Sequence, residues 1–233
     1  MRNLMTLLLL ASGFGPYSAH SQSLSSAKVS QGIRQALEWS AREASRQLSA
    51  PNGFLDNPAI KIPIPPEAQK AERTLRNLGM GSLVDQAVAS MNHAAEHAAA
   101  SAAPIFIQAI RHMSIADAGR ILSGSDTAAT AYLRKTSGWQ LQQAFRPVID
   151  TSLEKTDATR YWSQVVAAYN QIPFVRRINP DLSAYVTQQA INGLFYALGQ
   201  QEAKIRKDPA AQVTGLLKSV FGPAMRNSAP AHP

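Results

Sequence analysis

Apolar residues recur at spacings of three and four along most of the chain, a pattern that predicts amphipathic helices. The segment Ser26–Leu48 shows the pattern best, because its apolar positions form one stripe: Val29, Ile33, Leu37, Ala41, Ala44 and Leu48. Similar stripes predict further helices at 67–78, 82–103, 105–113, 115–124, 126–136, 141–153, 157–169, 181–198 and 208–221. The signals at their ends include Gly79 as a C-terminal stop, a capping box at Ser114 and Asp126 as an N-cap.

Prolines interrupt this helical pattern between the first two predicted helices. Four of them lie close together: Pro58, Pro63, Pro65 and Pro66. Proline cannot continue a helix, and it pushes the residue before it toward extended geometry. Ile60, Ile62 and Ile64 occupy alternate positions in this segment, so one of its sides is apolar. We therefore expect an extended arm that lies across the helices.

The fold class follows from these elements. No run of alternating apolar and polar residues between turn signals predicts a strand, and neither an internal repeat nor a long linker divides the chain. We predict an all-α fold with a single compact domain of about eight to ten helices over residues 22–226. It carries one extended proline-rich arm, and residues 227–233 form a disordered tail.

The first 21 residues have the anatomy of a secretory signal peptide. Arg2 supplies a positive charge, residues 4–11 form an apolar run, and the small residues Ala19 and Ser21 precede an expected cleavage site before Gln22. The apolar run is too short to cross a bilayer, which needs about 20 residues. We therefore expect an exported protein that does not span a membrane and that lies in the periplasm if its source is Gram-negative.

Composition and charge narrow the choice of partners. The chain of 233 residues has no cysteine, which excludes a disulfide scaffold and a thiolate metal site. Lys and Arg outnumber Asp and Glu by 23 to 15, and loss of the leader lowers the formal charge from +8 to +7. Such a charge suits an envelope protein, a lipid or another anionic surface. Nucleic acid is disfavoured, because aromatic residues are not interleaved with the basic ones.

One motif suggests metal chemistry. The sequence HAAEH, from His93 to His97, matches H-x-x-E-H, the inverted zinc-protease motif. Histidines four residues apart stack on one helix face, as two metal ligands must. Hydrolysis would need a third ligand from another helix, such as Glu154 or Glu202. The competing hypothesis is two solvated histidines, so we predict no metal and no cofactor. A metal-dependent hydrolase using His93, Glu96 and His97 remains an alternative.

Other catalytic signatures are incomplete. Ser152 and Lys155 match the S-x-x-K of penicillin-interacting serine enzymes, but the companion motifs S-D-N and K-T-G are missing. The chain also lacks a G-x-S-x-G elbow, a phosphate-binding P-loop and a G-x-G-x-x-G fingerprint. We therefore favour a role without catalysis.

Short motifs spread in order over nearly the whole mature chain carry a family resemblance. They are GF at 53, NPAIKIPIP at 57, MN at 91, AAE at 94, PIF at 104, A-x-T-x-Y at 128, RKT at 134, DL at 181, YVT at 185, GLF at 193 and IRKDPA at 205. Together they resemble the domain-of-unknown-function 4197 family. The resemblance implies an exported bacterial helical protein and points to no activity.

Two departures from the family pattern bear on function. The family keeps Asn92 and Glu96, but histidine is not characteristic at positions 93 and 97. Where this chain has Lys61, the family more often shows arginine, and lysine cannot make the bidentate contact with a carboxylate that arginine makes.

Polar residues of these motifs form our candidate binding cleft. They are Asn57, Lys61, Asn92, Glu96, Arg134, Lys135, Thr136, Tyr185, Thr187 and Arg206. If they converge, a buried Glu96 would need a basic partner such as Lys61 or Arg134. The competing hypothesis is that these residues only hold the fold together.

We therefore expect an exported binding or interaction domain. It would hold a small or apolar envelope ligand, or a partner protein, beside the arm of residues 57–66. Besides the metal-dependent hydrolase, a basic adaptor at anionic membrane or cell-wall surfaces is the other alternative.

Overall fold

A computed structural model describes residues 25–155 and 181–207, together with 159, 162, 163, 166, 167 and 177. The expected signal peptide, the predicted helix at 208–221 and the tail at 227–233 lie outside these residues. So does most of the predicted helix at 157–169.

Seven α-helices and no strand make up the described ranges, which confirms the all-α prediction with slightly fewer helices than expected. They are α1 (Ser26–Leu48), α2 (Gln69–Asn77), α3 (Gly81–Ala99), α4 (Ala102–Arg111), α5 (Ile115–Ser123), α6 (Ala128–Lys155) and α7 (Leu182–Lys207). A 3-10 turn at Pro66–Ala68 leads into α2. None of these helices combines the length and the apolar character that crossing a bilayer requires.

Helix α6 replaces two predicted helices, at 126–136 and 141–153, so the division between them was wrong. Its buried residues follow one another at every fourth position without a gap: Ala129, Leu133, Ser137, Leu141, Phe145, Ile149 and Leu153. Because a helix has 3.6 residues per turn, such a stripe rotates by about 40° at each step. It therefore winds around α6 and meets α7, α5, α3 and α4 along its length. Because its packing is continuous, the helix is not interrupted at Gly138 or at the exposed Pro147.

The arm is extended over fewer residues than predicted. Residues 51–60 form successive turns, and only 61–65 run extended into the 3-10 turn. The first part turns because the carbonyl of Asn57 accepts hydrogen bonds from the N–H groups of Ile60 and Lys61, at 3.1 and 2.8 Å. The predicted apolar side is present, since Ile60, Ile62 and Ile64 are all buried.

Helix α7 lies at the centre of the described fold. It packs against α1, α3 and α6, and its buried positions lie on nearly all sides. Near its middle, the Phe195 ring meets Phe106 of α4 edge to face, with 5.6 Å between ring centroids. A helix buried on most sides needs apolar residues all around it, which is why its sequence shows no single stripe.

Candidate functional site

Asn92 and Tyr185 fasten the extended part of the arm to α3 and α7. The Asn92 Oδ1 atom accepts the N–H of Ile62 at 2.8 Å, and its Nδ2 donates to the carbonyls of Ile62 and Val88 at 2.9 and 2.7 Å. The Tyr185 hydroxyl donates to the carbonyl of Pro63 at 3.2 Å. Burial and, to a smaller degree, the charge of a nearby glutamate raise the pKa of Tyr185, so its donor proton is retained. Both side chains bind main chain rather than facing a ligand.

Glu96 fastens the turns that precede the extended part. Its buried carboxylate accepts three main-chain N–H groups, from Asn52 at 3.2 Å, Phe54 at 3.0 Å and Leu55 at 3.2 Å. His93 Nδ1 lies 2.9 Å from the same group. Asn52 has a positive φ of 61°, a conformation that asparagine tolerates. The polar partners of Glu96 are therefore amides and a histidine, not the lysine or arginine we expected.

Gly193 of α7 allows close packing of the turn whose main chain is bound by Glu96. A Cβ atom at Gly193 would lie 2.6 Å from Cε1 of Phe54 and 3.3 Å from Cβ of Ile60. Because Phe54 is fully buried, its ring cannot swing away. The Gly-Leu-Phe motif at 193 is thus explained by close packing of the arm on α7.

Arg206 belongs to a second anchor at the other end of α7. The buried carboxylate of Glu202 accepts the N–H groups of Ala129 and Thr130, each at 2.9 Å, and so caps the N-terminus of α6. Arg206 donates to Glu202 at 2.9 Å and to the carbonyl of Ile121 in α5 at 2.8 Å. The pair therefore joins the end of α5, the start of α6 and the end of α7.

The remaining candidates on α6 lie on its surface. Arg134 is stacked over the Phe195 ring at 4.3 Å and donates to Asn192 at 3.3 Å. Lys135 is exposed, and the hydroxyl of Thr136 donates to the carbonyl one turn earlier in the same helix.

Asn57, Lys61 and Thr187 have no shared partner in the described part of the chain. The Asn57 side chain accepts the N–H of Ala59 at 3.1 Å and so shapes its own turn. Lys61 is exposed, and Thr187 is buried with a hydroxyl that has no hydrogen-bond partner there.

The ten candidates thus occupy at least two separate places. Asn92, Glu96 and Tyr185 surround the arm. Arg206 lies 21 residues beyond Tyr185 on the same helix, which corresponds to about 30 Å. Within the described residues, the contacts of these four side chains are those of a scaffold.

The two histidines of the H-x-x-E-H motif have different neighbours. His93 contacts Glu96, as described above, and His97 Nδ1 lies 3.1 Å from the hydroxyl of Ser152 on α6. Glu202, a potential third ligand, caps α6 instead. No group of three or more His, Cys, Asp or Glu residues that could hold a metal ion occurs in the described ranges.

A small cavity lies beside the Glu202 anchor, between α1, α5, α6 and α7. Its volume is about 20 Å³, which is room for about one water molecule. This cavity is therefore too small for an organic ligand.

The structure has an exposed apolar surface that we did not predict from the sequence. Helices α2 and the first half of α3 form a hairpin (residues 69–90) in which only Val84 is fully buried. At its tip Leu78, Met80 and Leu83 remain exposed by 70%, 39% and 44%. Gly79 makes the turn with a φ of 77°, which only glycine adopts without strain. Two apolar residues flanking a glycine stop were a visible signal of this surface, but the glycine was interpreted only as the end of a helix.

Charges on the hairpin are unevenly balanced. Arg76 pairs with both nearby carboxylates, at 2.8 Å to Asp85 and 3.1 Å to Glu72, and these contacts raise its pKa. Lys70 and Arg73 are exposed and have no ion-pair partner among the described residues. The hairpin therefore carries three basic and two acidic side chains, a net charge of +1.

The fold and these anchors define a class: an all-helical protein in which a short arm is fastened to the helices by buried polar side chains. A sequence model of the family "Protein of unknown function (DUF4197)" matches residues 23–222. The chain belongs to this family, as its motifs indicated. No curated protein and no solved structure matches the chain.

Proposed function

We propose that the protein is an exported, non-catalytic interaction domain that attaches to an anionic membrane surface through the tip of its α2–α3 hairpin. The observation that carries the proposal is the exposure of Leu78, Met80 and Leu83 at one turn. Three apolar side chains around a single turn are unusual on a water-facing surface.

The arm offers less to a ligand than this tip does. Its isoleucines are already buried, and its polar neighbours Asn92, Glu96 and Tyr185 already bind main chain. A ligand beside the arm would have to displace these contacts, whereas a membrane would meet the tip as it stands.

A bilayer suits the shape and charge of the hairpin. The apolar tip is convex, and a protein partner would need a matching groove, whereas lipid headgroups can part around it. Lys70 and Arg73 would then lie near the lipid phosphates, where each basic residue contributes about 1 kcal/mol. The formal charge of +7 that remains after loss of the leader favours approach to an anionic surface at longer range.

Vesicle binding tests the proposal. Mature protein, beginning at Gln22, is sedimented with vesicles of phosphatidylglycerol and phosphatidylethanolamine, and separately with phosphatidylcholine alone. We expect binding to the anionic vesicles that weakens as salt is raised, because salt screens exposed charges. The double variant Leu78→Ser/Leu83→Ser should lower the partition coefficient at least about tenfold, since burying one leucine contributes roughly 1.5–3 kcal/mol.

Matched controls use two apolar residues exposed elsewhere. Trp139 on α6 and Tyr196 on α7 are exposed by 69% and 45%. The double variant Trp139→Ser/Tyr196→Ser should bind vesicles like the unaltered protein. Equal losses in both double variants, or salt-insensitive binding, would overturn the proposal. Crosslinking from position 78 to a protein in cells, without vesicle binding in vitro, would replace the membrane with a protein partner.

Export is tested separately. The mass of the protein recovered from the periplasmic fraction should correspond to a chain that starts at Gln22. Recovery of the full-length chain from the cytoplasm would remove the exported part of the proposal and leave the vesicle result intact.

A further inference from the structure

The exposed surface of α3 carries two histidines of the H-x-x-E-H motif. His93 and His97 stand one helical turn apart on the same face, where Cβ atoms of residues four apart are about 5–6 Å from each other. His93 has a side chain exposed by 46%, and His97 is exposed. Both rings are therefore accessible to an ion from solvent.

Each imidazole ring has a hydrogen-bond partner at its Nδ1 atom. The Nδ1 atom of His93 lies 2.9 Å from the Glu96 carboxylate, and Nδ1 of His97 lies 3.1 Å from the Ser152 hydroxyl. An ionised carboxylate only accepts hydrogen bonds, so Nδ1 of His93 carries the proton and its Nε2 keeps a free lone pair. The Ser152 hydroxyl can accept a hydrogen bond from Nδ1–H of His97 in the same way, which leaves the lone pair on Nε2 of His97 as the second one.

We infer that His93 and His97 form a two-histidine site for a divalent transition-metal ion that favours imidazole, such as Zn²⁺ or Cu²⁺. The arrangement matches what metal-binding histidines usually show: the nitrogen that does not bind the metal donates to a carboxylate or another oxygen, which fixes the ring. Two ring nitrogens are the whole protein contribution within the described residues, and water completes the coordination. The inference concerns binding, without hydrolysis, and it is independent of the membrane proposal.

The site would be coupled to the arm through one side chain. A metal on Nε2 of His93 makes the ring a stronger donor at Nδ1, which strengthens its bond to Glu96. The same carboxylate holds the N–H groups of Asn52, Phe54 and Leu55. Metal binding should therefore stabilise the arm together with α3.

Calorimetric titration of the mature protein with Zn²⁺ tests the inference. We expect one ion per chain. Either His93→Ala or His97→Ala should reduce the affinity at least about tenfold, and the double variant should lose little more than one single variant, because a chelate fails when either ligand is lost. His112→Ala is the matched control, since His112 is also exposed, at the C-terminal cap of α4, and its ring lies 2.8 Å from the carbonyl of Gln108 in that helix. This variant should bind Zn²⁺ normally.

Ser152→Ala tests the role of the outer contact without disturbing the arm. It should lower the affinity about tenfold, the lower end of the range for such contacts. Copper adds an independent readout, because the electron paramagnetic resonance spectrum of bound Cu²⁺ should show two equivalent nitrogens and lose one in His97→Ala. Losses that add across the two histidines, an equal loss in His112→Ala, or adventitious binding only, at several ions per chain, would overturn the inference.

Discussion

The arm and the hairpin follow each other in the chain, but they meet the rest of the molecule in opposite ways. In the arm, the apolar side chains are buried and the main chain is fastened by Asn92, Glu96 and Tyr185. In the hairpin, α2 has no fully buried residue, and the tip holds Leu78, Met80 and Leu83 in solvent. Three of the residues that look most functional in sequence therefore bind the main chain of the arm, and an inconspicuous turn is exposed.

Removal of the Glu96 carboxylate from the arm's anchor should cause the largest loss in the free energy of unfolding. Glu96→Ala leaves three N–H groups without an acceptor, and each unpaired buried group costs about 1–3 kcal/mol. Because Asn52 is partly exposed to water, we expect a total loss of roughly 3–5 kcal/mol, measured by urea unfolding. Glu72→Ala, which breaks an exposed pair on the hairpin, should cost less than about 1 kcal/mol. Similar losses in the two variants would refute the contrast.

Substitution of Gly193 should have the next largest effect. Gly193→Ala places a methyl group against Phe54, and such overpacking costs about 1–3 kcal/mol. Gly138 in α6 is the control, because a Cβ atom there meets nothing within 4 Å. Gly138→Ala should raise the free energy of unfolding by roughly 0.5–1 kcal/mol, as alanine favours a helix over glycine. The urea midpoint should therefore fall in Gly193→Ala and rise in Gly138→Ala.

The hairpin tip should tolerate substitution with little change in stability. Leu78→Ser alters a side chain that is mostly in water already, so the free energy of unfolding should change by about 0.5 kcal/mol or less. Thermal unfolding of this variant and of Ile62→Ser in the arm would make the comparison directly. A large destabilisation by Leu78→Ser would show that the tip belongs to the core.

The smallest predicted effect is a loss of stability in acid. It arises at the start of α5, away from both the arm and the hairpin. At the start of α5, hydrogen bonds from Ser114 and a contact with Arg120 hold the pKa of Asp117 at about 2. Since its ordinary value is 3.8, the stabilisation is complete above pH 3.8 and is lost as the pH falls toward 2. Ser114→Ala should move the carboxyl titration, followed by NMR, upward. An unmoved titration would show that Ser114 does not cause the shift.

Local signals in the sequence were sufficient for most of the fold. The stripe of α1, the capping box at Ser114 and the glycine stop at Gly79 each depend on neighbours within four residues, and all three are present. Asp126, by contrast, was expected to cap α6, but the cap comes from Glu202, 73 residues away from Ala129. A local pattern cannot reveal such a partner.

The candidate site was harder to predict for the same reason. The sequence indicated that Asn92, Glu96 and Tyr185 matter, but it could not show that their partners are main-chain groups. A carboxylate in a motif suggests catalysis or an ion pair equally well, and only the positions of the amides of Asn52, Phe54 and Leu55 distinguish a scaffold from a site.

The central place of α7 has a consequence for folding. Ribosomes make the chain from its N-terminus, so α1, α3 and α6 exist before the helix against which all three pack. Until residues 193 and 202 are made, the arm lacks its packing partner Gly193 and the N-terminus of α6 lacks Glu202. Intermediates with such exposed apolar surface aggregate readily. We therefore expect α1, α3 and α6 to expose part of their apolar surface until α7 has been synthesised.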